Sequence, residues 1–190
     1  MILEQLREGT RVLHARVEQA VNLPARLSSV DEYVALLRRY LGFYEPLEQR
    51  LRSVSELSQS TINSRRLSKA ARLREDLTAL GTTDAEMDQL PKCQCLPEFS
   101  GPAEAWGCLY VLEGATLGGQ IIGRELEKSL SLTSGCGSGF FAVYGTQVGE
   151  MWRRFCGDLT HYEQTHPGSS GCILQGAVLT FTCFEEWVKC

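Results

Sequence analysis

The sequence lacks the features that would place the protein in a membrane or on nucleic acid. No run of about 18 apolar residues occurs in the chain of 190 residues, so we expect no transmembrane helix. The 19 Lys and Arg residues are outnumbered by 23 Asp and Glu residues, which argues against nucleic acid as the main partner. Residues 1–8 include two acidic residues and no apolar segment typical of a signal peptide. These absences predict a cytoplasmic protein.

The eight cysteines lack the spacing of a structural metal site. Cys93 and Cys95 form the only close pair, and their C-x-C spacing differs from the C-x-x-C spacing of zinc and redox sites. Without a secretory signal, we expect the thiols to stay reduced. The sequence therefore predicts buried or incidental thiols rather than a zinc site or a set of disulfides.

Alternating strand patterns are also missing, and helical periods take their place. Apolar residues recur at helical spacing over residues 3–21. Ser29 and Glu32 have the spacing of a capping box that opens a second helix, in which Pro46 should introduce a kink. Further helices are predicted near residues 65–80, 102–132, 140–162 and 173–187, with a long connection at 81–101, a loop at 133–139 and a turn at 166–171. The pattern predicts one all-α domain over residues 1–190.

The first of these helices places a histidine at the edge of its apolar face. At roughly 100° per residue and measured from Leu6, His14 lies at about 80°, Arg7 at about 100° and Glu18 at about 120°. One ring nitrogen could therefore face an apolar cleft and bind a metal, while Glu18 accepts the other N–H. On this helix alone, a half-buried histidine with a hydrogen bond and no ligand is the alternative.

Glycine is concentrated in one helical segment. Five of the 18 glycines fall in residues 106–123, although each costs up to about 1 kcal/mol relative to alanine inside a helix. One face of the helical wheel carries glycines bordered by small or branched residues, namely Gly107, Gly114, Gly118, Val111 and Ala115. The consecutive Gly118 and Gly119 favour a kink. Such bare backbone suits either a flat ligand or a closely packed neighbouring helix.

Both helices resemble those of one known family. Residues 6–18 are similar to the proximal helix of haem (heme) oxygenases, where a Leu-Lys/Arg-x-x-Thr-x-x-x-His-x-x-x-Glu pattern carries the axial ligand. Residues 112–120 resemble the glycine-rich distal helix of that family. Residues 110–119, 144–155 and 184–187 look most like its bacterial branch, which is associated with bacteriophytochromes. The two motifs occur in family order, and the resemblance spans nearly the whole chain.

The resemblance implies a helical bundle that holds haem between the proximal helix and a kinked, glycine-rich distal helix. It implies His14 as the iron ligand, with Gly114, Ala115, Gly118 and Gly119 over the opposite face of the haem. The other haem contacts that it implies are Arg7 and Val111, with Arg153 and Arg154 as candidates for a second propionate contact.

The activity that the resemblance implies is oxidative opening of haem, which is both substrate and cofactor. O2 and an external reductant, such as a ferredoxin or a reductase, would yield biliverdin, carbon monoxide and ferrous iron. A bacteriophytochrome is the implied acceptor of the product, and neither nucleic acid nor a membrane is an expected partner.

One position departs from the family pattern. Many haem oxygenases carry Asp directly after the glycine that matches Gly114, where the carboxylate organises water for proton delivery. This chain has Ala115 instead. A haem- or bilin-binding protein without turnover is therefore an alternative function. A helical protein with another small-molecule ligand, or a pure interaction module, is the third hypothesis.

Overall fold

The computed structural model describes residues 1–23, 28–54 and 66–189, and most of these residues are helical. Seven α-helices occur in these ranges: α1 (Ile2–Val21), α2 (Val30–Arg52), α3 (Lys69–Ala79), α4 (Asp84–Asp88), α5 (Pro102–Leu130), α6 (Val148–Thr165) and α7 (Ser170–Lys189). No strand is present in the described ranges, where pairing is limited to isolated bridges at Thr133. The all-α prediction is confirmed.

Local sequence signals set the starts of the long helices. The Ser29 hydroxyl accepts a hydrogen bond from the Glu32 N–H at 3.2 Å, so α2 begins where the capping pattern predicts. Pro102 occupies the first turn of α5. N–H groups in a first turn have no acceptor within the helix, so a proline there loses no hydrogen bond. Helix α2 runs through Pro46 as one element, and the kink there stays a prediction. The predicted start of the third helix, at residue 65, lies outside the described residues.

The predicted helix over residues 140–162 is wrong in its first part. Residues 139–144 form turns, Gly145–Gln147 form a short 3-10 helix, and α6 begins only at Val148. Gly145 has a φ of 51°, which interrupts a right-handed helix. Phe140 and Phe141 are nevertheless buried. These two apolar side chains are buried where the turns pack against the core. Their spacing therefore does not mark the buried face of a helix.

Helices α5 and α7 approach each other at backbone contact. A Cβ atom on Gly107 would lie 1.9 Å from the carbonyl oxygen of Ile173, and one on Gly176 would lie 2.0 Å from that of Glu104. Gly107 therefore belongs to a helix–helix contact and not to an open ligand face. For this glycine, the alternative of a closely packed neighbouring helix is confirmed, and the ligand face is wrong. The helical wheel does not separate the two, because a packing glycine and a ligand-facing glycine look alike in sequence.

Two further observations concern the length of the helices and the state of the cysteines. Among the described residues, no helix combines the length and the apolarity needed to cross a bilayer. The seven cysteines in these ranges are free thiols, of which Cys95, Cys136 and Cys172 are exposed.

We expect Gly107→Ala to lower the free energy of unfolding by about 1–3 kcal/mol, because the added methyl overpacks the α5–α7 contact. Urea denaturation measures the effect. Gly118→Ala is the matched control on the same helix, since no atom outside the adjoining helix backbone lies within 4 Å of the place that its methyl would take. That variant should keep or raise stability by up to about 1 kcal/mol. Equal losses in both variants would contradict the assignment of Gly107 to packing.

Candidate functional site

A cavity of about 780 Å³ lies between α1 and α5. Its volume falls in the range of small-molecule pockets, roughly 300–1,000 Å³. Most of its wall is apolar, with aromatic side chains from α2, α7 and the turns at 140–143. Seven of the residues predicted from sequence line it: Arg7, His14, Val111, Gly114, Ala115, Gly118 and Gly119. The structure thus brings the two sequence motifs together in the lining of one cavity.

His14 projects from α1 at the edge of this cavity. Its Nδ1 lies 3.5 Å from the Glu18 Oε2, and its side chain is 56% exposed. The ring meets Phe181 of α7 edge-on, with 5.8 Å between ring centroids. Because Nδ1 faces Glu18, Nε2 is the nitrogen left for a metal. The Glu18 partner expected from helical spacing is in place.

Two glycines of α5 present bare backbone, with open space in front of Gly118 and the Trp152 ring beside Gly114. Outside the adjoining helix backbone, no atom lies within 4 Å of a Cβ built on Gly118, and a Cβ on Gly114 would touch only the Trp152 ring at 3.8 Å. A flat ligand can therefore lie against this face at backbone distance.

Gly119 has a different function from these two glycines. Its Cβ would lie 2.3 Å from the carbonyl oxygen of Phe141, so it permits the close approach of the neighbouring turns. Helix α5 is continuous through Gly118 and Gly119, and the kink stays a prediction.

The position after Gly114 carries no acid in the cavity. Ala115 lines the wall with a methyl group, and Thr116 lines the cavity as well. The Thr116 hydroxyl donates to the Glu113 carbonyl oxygen at 2.7 Å, so it is engaged within its own helix.

Two arginines of α1 line the cavity. Arg7 and Arg11 are 73% and 74% exposed, and they lie 3.6 and 4.0 Å from Glu8. Exposed pairs of this kind contribute little to stability. Both guanidinium groups are therefore able to turn toward acidic groups of a ligand. Sequence reasoning missed Arg11, although it lies one turn after Arg7 on the same helix.

Arg153 and Arg154 do not line the cavity. Arg154 pairs with Glu150 at 2.6 Å, and the Arg153 Nε donates to the Gly149 carbonyl oxygen at 3.3 Å. Both side chains are exposed. The structure thus favours Arg11 over either of them as a second cation beside Arg7.

A buried ion pair lies behind α5, and sequence reasoning missed it. The Lys69 Nζ donates to the Glu113 Oε1 at 2.6 Å, and the two side chains are 2% and 1% exposed. The Tyr144 hydroxyl donates to the same carboxylate at 3.0 Å. Lys69 also lines the cavity. The only sequence signal is an acidic residue in an otherwise apolar stretch of helix.

Asp76 holds the aromatic turns that form one wall. Its two carboxylate oxygens accept hydrogen bonds from the Gly139 and Phe140 N–H groups at 2.8 and 2.7 Å. Burial raises the pKa of Asp76, and these two hydrogen bonds oppose the shift. Phe140 and Phe141 both line the cavity. Asp76 therefore positions part of the site from outside it.

Comparison with known proteins shows the family of the chain. The family model described as Heme oxygenase matches residues 1–190. The chain belongs to the haem oxygenase family. A haem oxygenase of Xanthomonas campestris pv. campestris (strain 8004) is 37% identical over 100 residues. That match covers 52% of this chain and 54% of the relative, so the chain spans about half the length of that protein.

The fold agrees with a solved haem oxygenase structure. The NO- and CO-bound haem oxygenase from Neisseria meningitidis superposes with a TM-score of 0.82. The superposition covers 100% of this chain and 90% of that one at 20% sequence identity. This chain therefore has the haem oxygenase fold, which confirms the fold predicted from its two motifs.

In this haem oxygenase-family chain, we expect Asp76→Asn to lower the free energy of unfolding by about 1–3 kcal/mol. An asparagine can accept from only one of the two turn N–H groups, and its own NH2 would face the other. Thermal or urea unfolding measures the loss. Asp84→Asn is the control, because Asp84 is 86% exposed, and it should change stability by no more than about 0.5 kcal/mol. A similar small change in both variants would contradict the positioning role of Asp76.

Proposed function

We propose that this chain is a haem-degrading oxygenase that converts haem, with O2 and external electrons, to biliverdin, carbon monoxide and ferrous iron. The observation that carries the proposal is that His14 and the open glycine face of α5 line the same apolar cavity. Membership of the haem oxygenase family supports it.

The residues of the cavity suit a flat apolar plate with two carboxylates at its edge. His14 would bind the iron through Nε2, and Glu18 would accept from Nδ1 and so fix the tautomer and the ring orientation. Gly114 and Gly118 would let the opposite face lie against backbone. Arg7 and Arg11 would pair with the two propionates in charge-assisted hydrogen bonds.

The protein would act mainly through shape and exclusion of water. Haem, when bound, supplies the iron that activates O2 and the ring carbon that is oxidised. The backbone of α5, close to the haem, would restrict the direction in which a small ligand such as O2 tilts. This restriction would select which edge of the haem ring reacts. Phe140, Phe141 and Phe181 would keep bulk water from the apolar part of the cleft.

The partners follow from the same reaction. Haem opening needs electrons from outside the chain, and we propose a ferredoxin or a reductase as the donor. We propose a bacteriophytochrome as the acceptor of biliverdin, on the basis of the sequence resemblance of residues 110–119 and 184–187 to that bacterial branch.

One observation favours a second candidate function. Ala115 lines the cavity where many family members have a carboxylate. A chain that lacks this group could bind haem or a bilin without turnover. The two functions share the ligand site, and they differ only in whether a reductant causes the bound haem to be degraded.

Haemin titration of the wild type and of His14→Ala tests the ligand. The wild type should give the Soret band of a histidine-ligated haem, and His14→Ala should bind at least about tenfold more weakly, equivalent to about 1.4 kcal/mol. His161→Ala is the matched control, because His161 is an exposed histidine of α6 outside the cavity lining. It should bind like the wild type. Binding that is unaffected by His14→Ala would contradict this ligand assignment.

Addition of ascorbate or a reductase system to the haem complex tests turnover. We expect the Soret band to disappear as a biliverdin spectrum develops, with carbon monoxide trapped by a reporter globin. A haem complex that stays intact under reductant would contradict the oxygenase and support the binding protein.

A further inference from the structure

Lys69 is a fully buried lysine in the wall of a ligand cavity. Its side chain is 2% exposed, and the residue lines the cavity between α1 and α5. Lysine is almost never fully buried unless it is paired. Here the pair is Glu113, which does not itself line the cavity. Lys69 is therefore the member of the pair that lines the cavity.

The hydrogen bonds of the ammonium group leave one donor for a ligand or water. Nζ donates to the Glu113 Oε1 at 2.6 Å and to the Arg66 carbonyl oxygen at 2.9 Å. An ammonium group carries three N–H bonds. Two are directed at protein oxygen atoms, and the centroid of the Tyr144 ring lies 5.7 Å from Nζ. The third N–H has no oxygen partner among the described residues.

The surroundings of Lys69 fix its position. The Lys69 backbone N–H donates to the Glu48 Oε1 at 2.7 Å, and Glu48 is itself paired with Arg52 at 3.1 Å. The Tyr144 hydroxyl holds Glu113 from the other side at 3.0 Å. The Lys69 ammonium group is thus held by residues from several helices and turns in a site of low polarity. Such a donor needs little reorganisation when it donates a hydrogen bond to a ligand or a water molecule.

The pair is anchored to α5. Glu113 directly precedes Gly114 on α5, so Lys69 is tied to the helix that would cover the second face of the ligand. Ala115, on the same wall, supplies no polar side chain. Lys69 thus places a buried cation on this side of the cavity.

We propose that Lys69 positions a water molecule over the α5 face of the bound haem, in the place of the carboxylate that is absent at Ala115. This inference rests on the proposed function. Lys69 acts as a positioning residue, because it holds the water and does not contact the reacting carbon.

The infrared stretching band of carbon monoxide, added as a probe to the reduced haem complex, tests this inference. A cation or hydrogen-bond donor beside the probe oxygen weakens the C–O bond and lowers its frequency. Lys69→Met should therefore shift the band to higher frequency and remove its sensitivity to D2O. Lys69→Arg, which keeps the charge, should keep the band low.

A double variant that removes both charges of the pair controls for unfolding. Lys69→Met alone leaves Glu113 buried without its lysine partner, which is strongly destabilising. Lys69→Met with Glu113→Gln removes both charges and should show the same band shift. Lys92→Met is the matched control, since Lys92 is a partly buried lysine, paired with Glu45, that does not line the cavity. Its band should equal that of the wild type.

Comparing the rate of bilin formation with the affinity for haem distinguishes a positioning role of Lys69 from a role in haem binding. In the double variant, the rate of bilin formation should fall about 100-fold, the typical effect of removing one oriented donor, while haem affinity changes little. A His14-dependent haem complex whose probe band is the same in the wild type and the double variant would overturn the Lys69 inference alone. A wild-type chain that binds no haem would overturn the proposed function, and this inference with it.

Discussion

Missing Cβ atoms at two levels of α5 determine both how the helices pack and where the cavity opens. Near the start of α5, Gly107, together with Gly176 of α7, lets the two helices meet at backbone contact. Phe181 of the same α7 lies against His14, with 5.8 Å between their rings. About three turns further along α5, Gly118 leaves open space. The same chemical property thus produces a packed interface and an empty cavity.

The glycines weaken the helix that they shape. Each lowers helix stability by up to about 1 kcal/mol relative to alanine, and several fall in the middle of the 29-residue helix α5. The buried pair of Glu113 and Lys69 ties that same stretch to α3. A buried pair adds little net stability because both charges lose their hydration. Its contribution here is to join α5 to α3 through a buried hydrogen bond and so to fix the position of α5.

Local periodicity explains which parts of the fold and the site could be predicted from sequence. His14 and Glu18 are one turn apart on one helix, so their neighbourhood follows from helix geometry alone. The pair of Lys69 and Glu113 joins residues 44 positions apart, which no helical pattern reveals. The turns at 139–147 have apolar residues at helical spacing, yet Asp76 holds their N–H groups from 63 and 64 residues away. Because those contacts come from α3, they override the local helical propensity.

The two walls of the cavity differ in how far they are formed before a ligand enters. On α1, His14 is 56% exposed and Arg7 is 73% exposed, with only weak pairs to nearby acids. On the α5 side, Lys69 and Glu113 are almost fully buried and hydrogen-bonded. Exposed side chains lose conformational entropy when a ligand orders them, whereas buried ones have already lost it on folding. Lys69 and Glu113 therefore hold their part of the site in place before a ligand enters, whereas a ligand would order the side chains of His14 and Arg7.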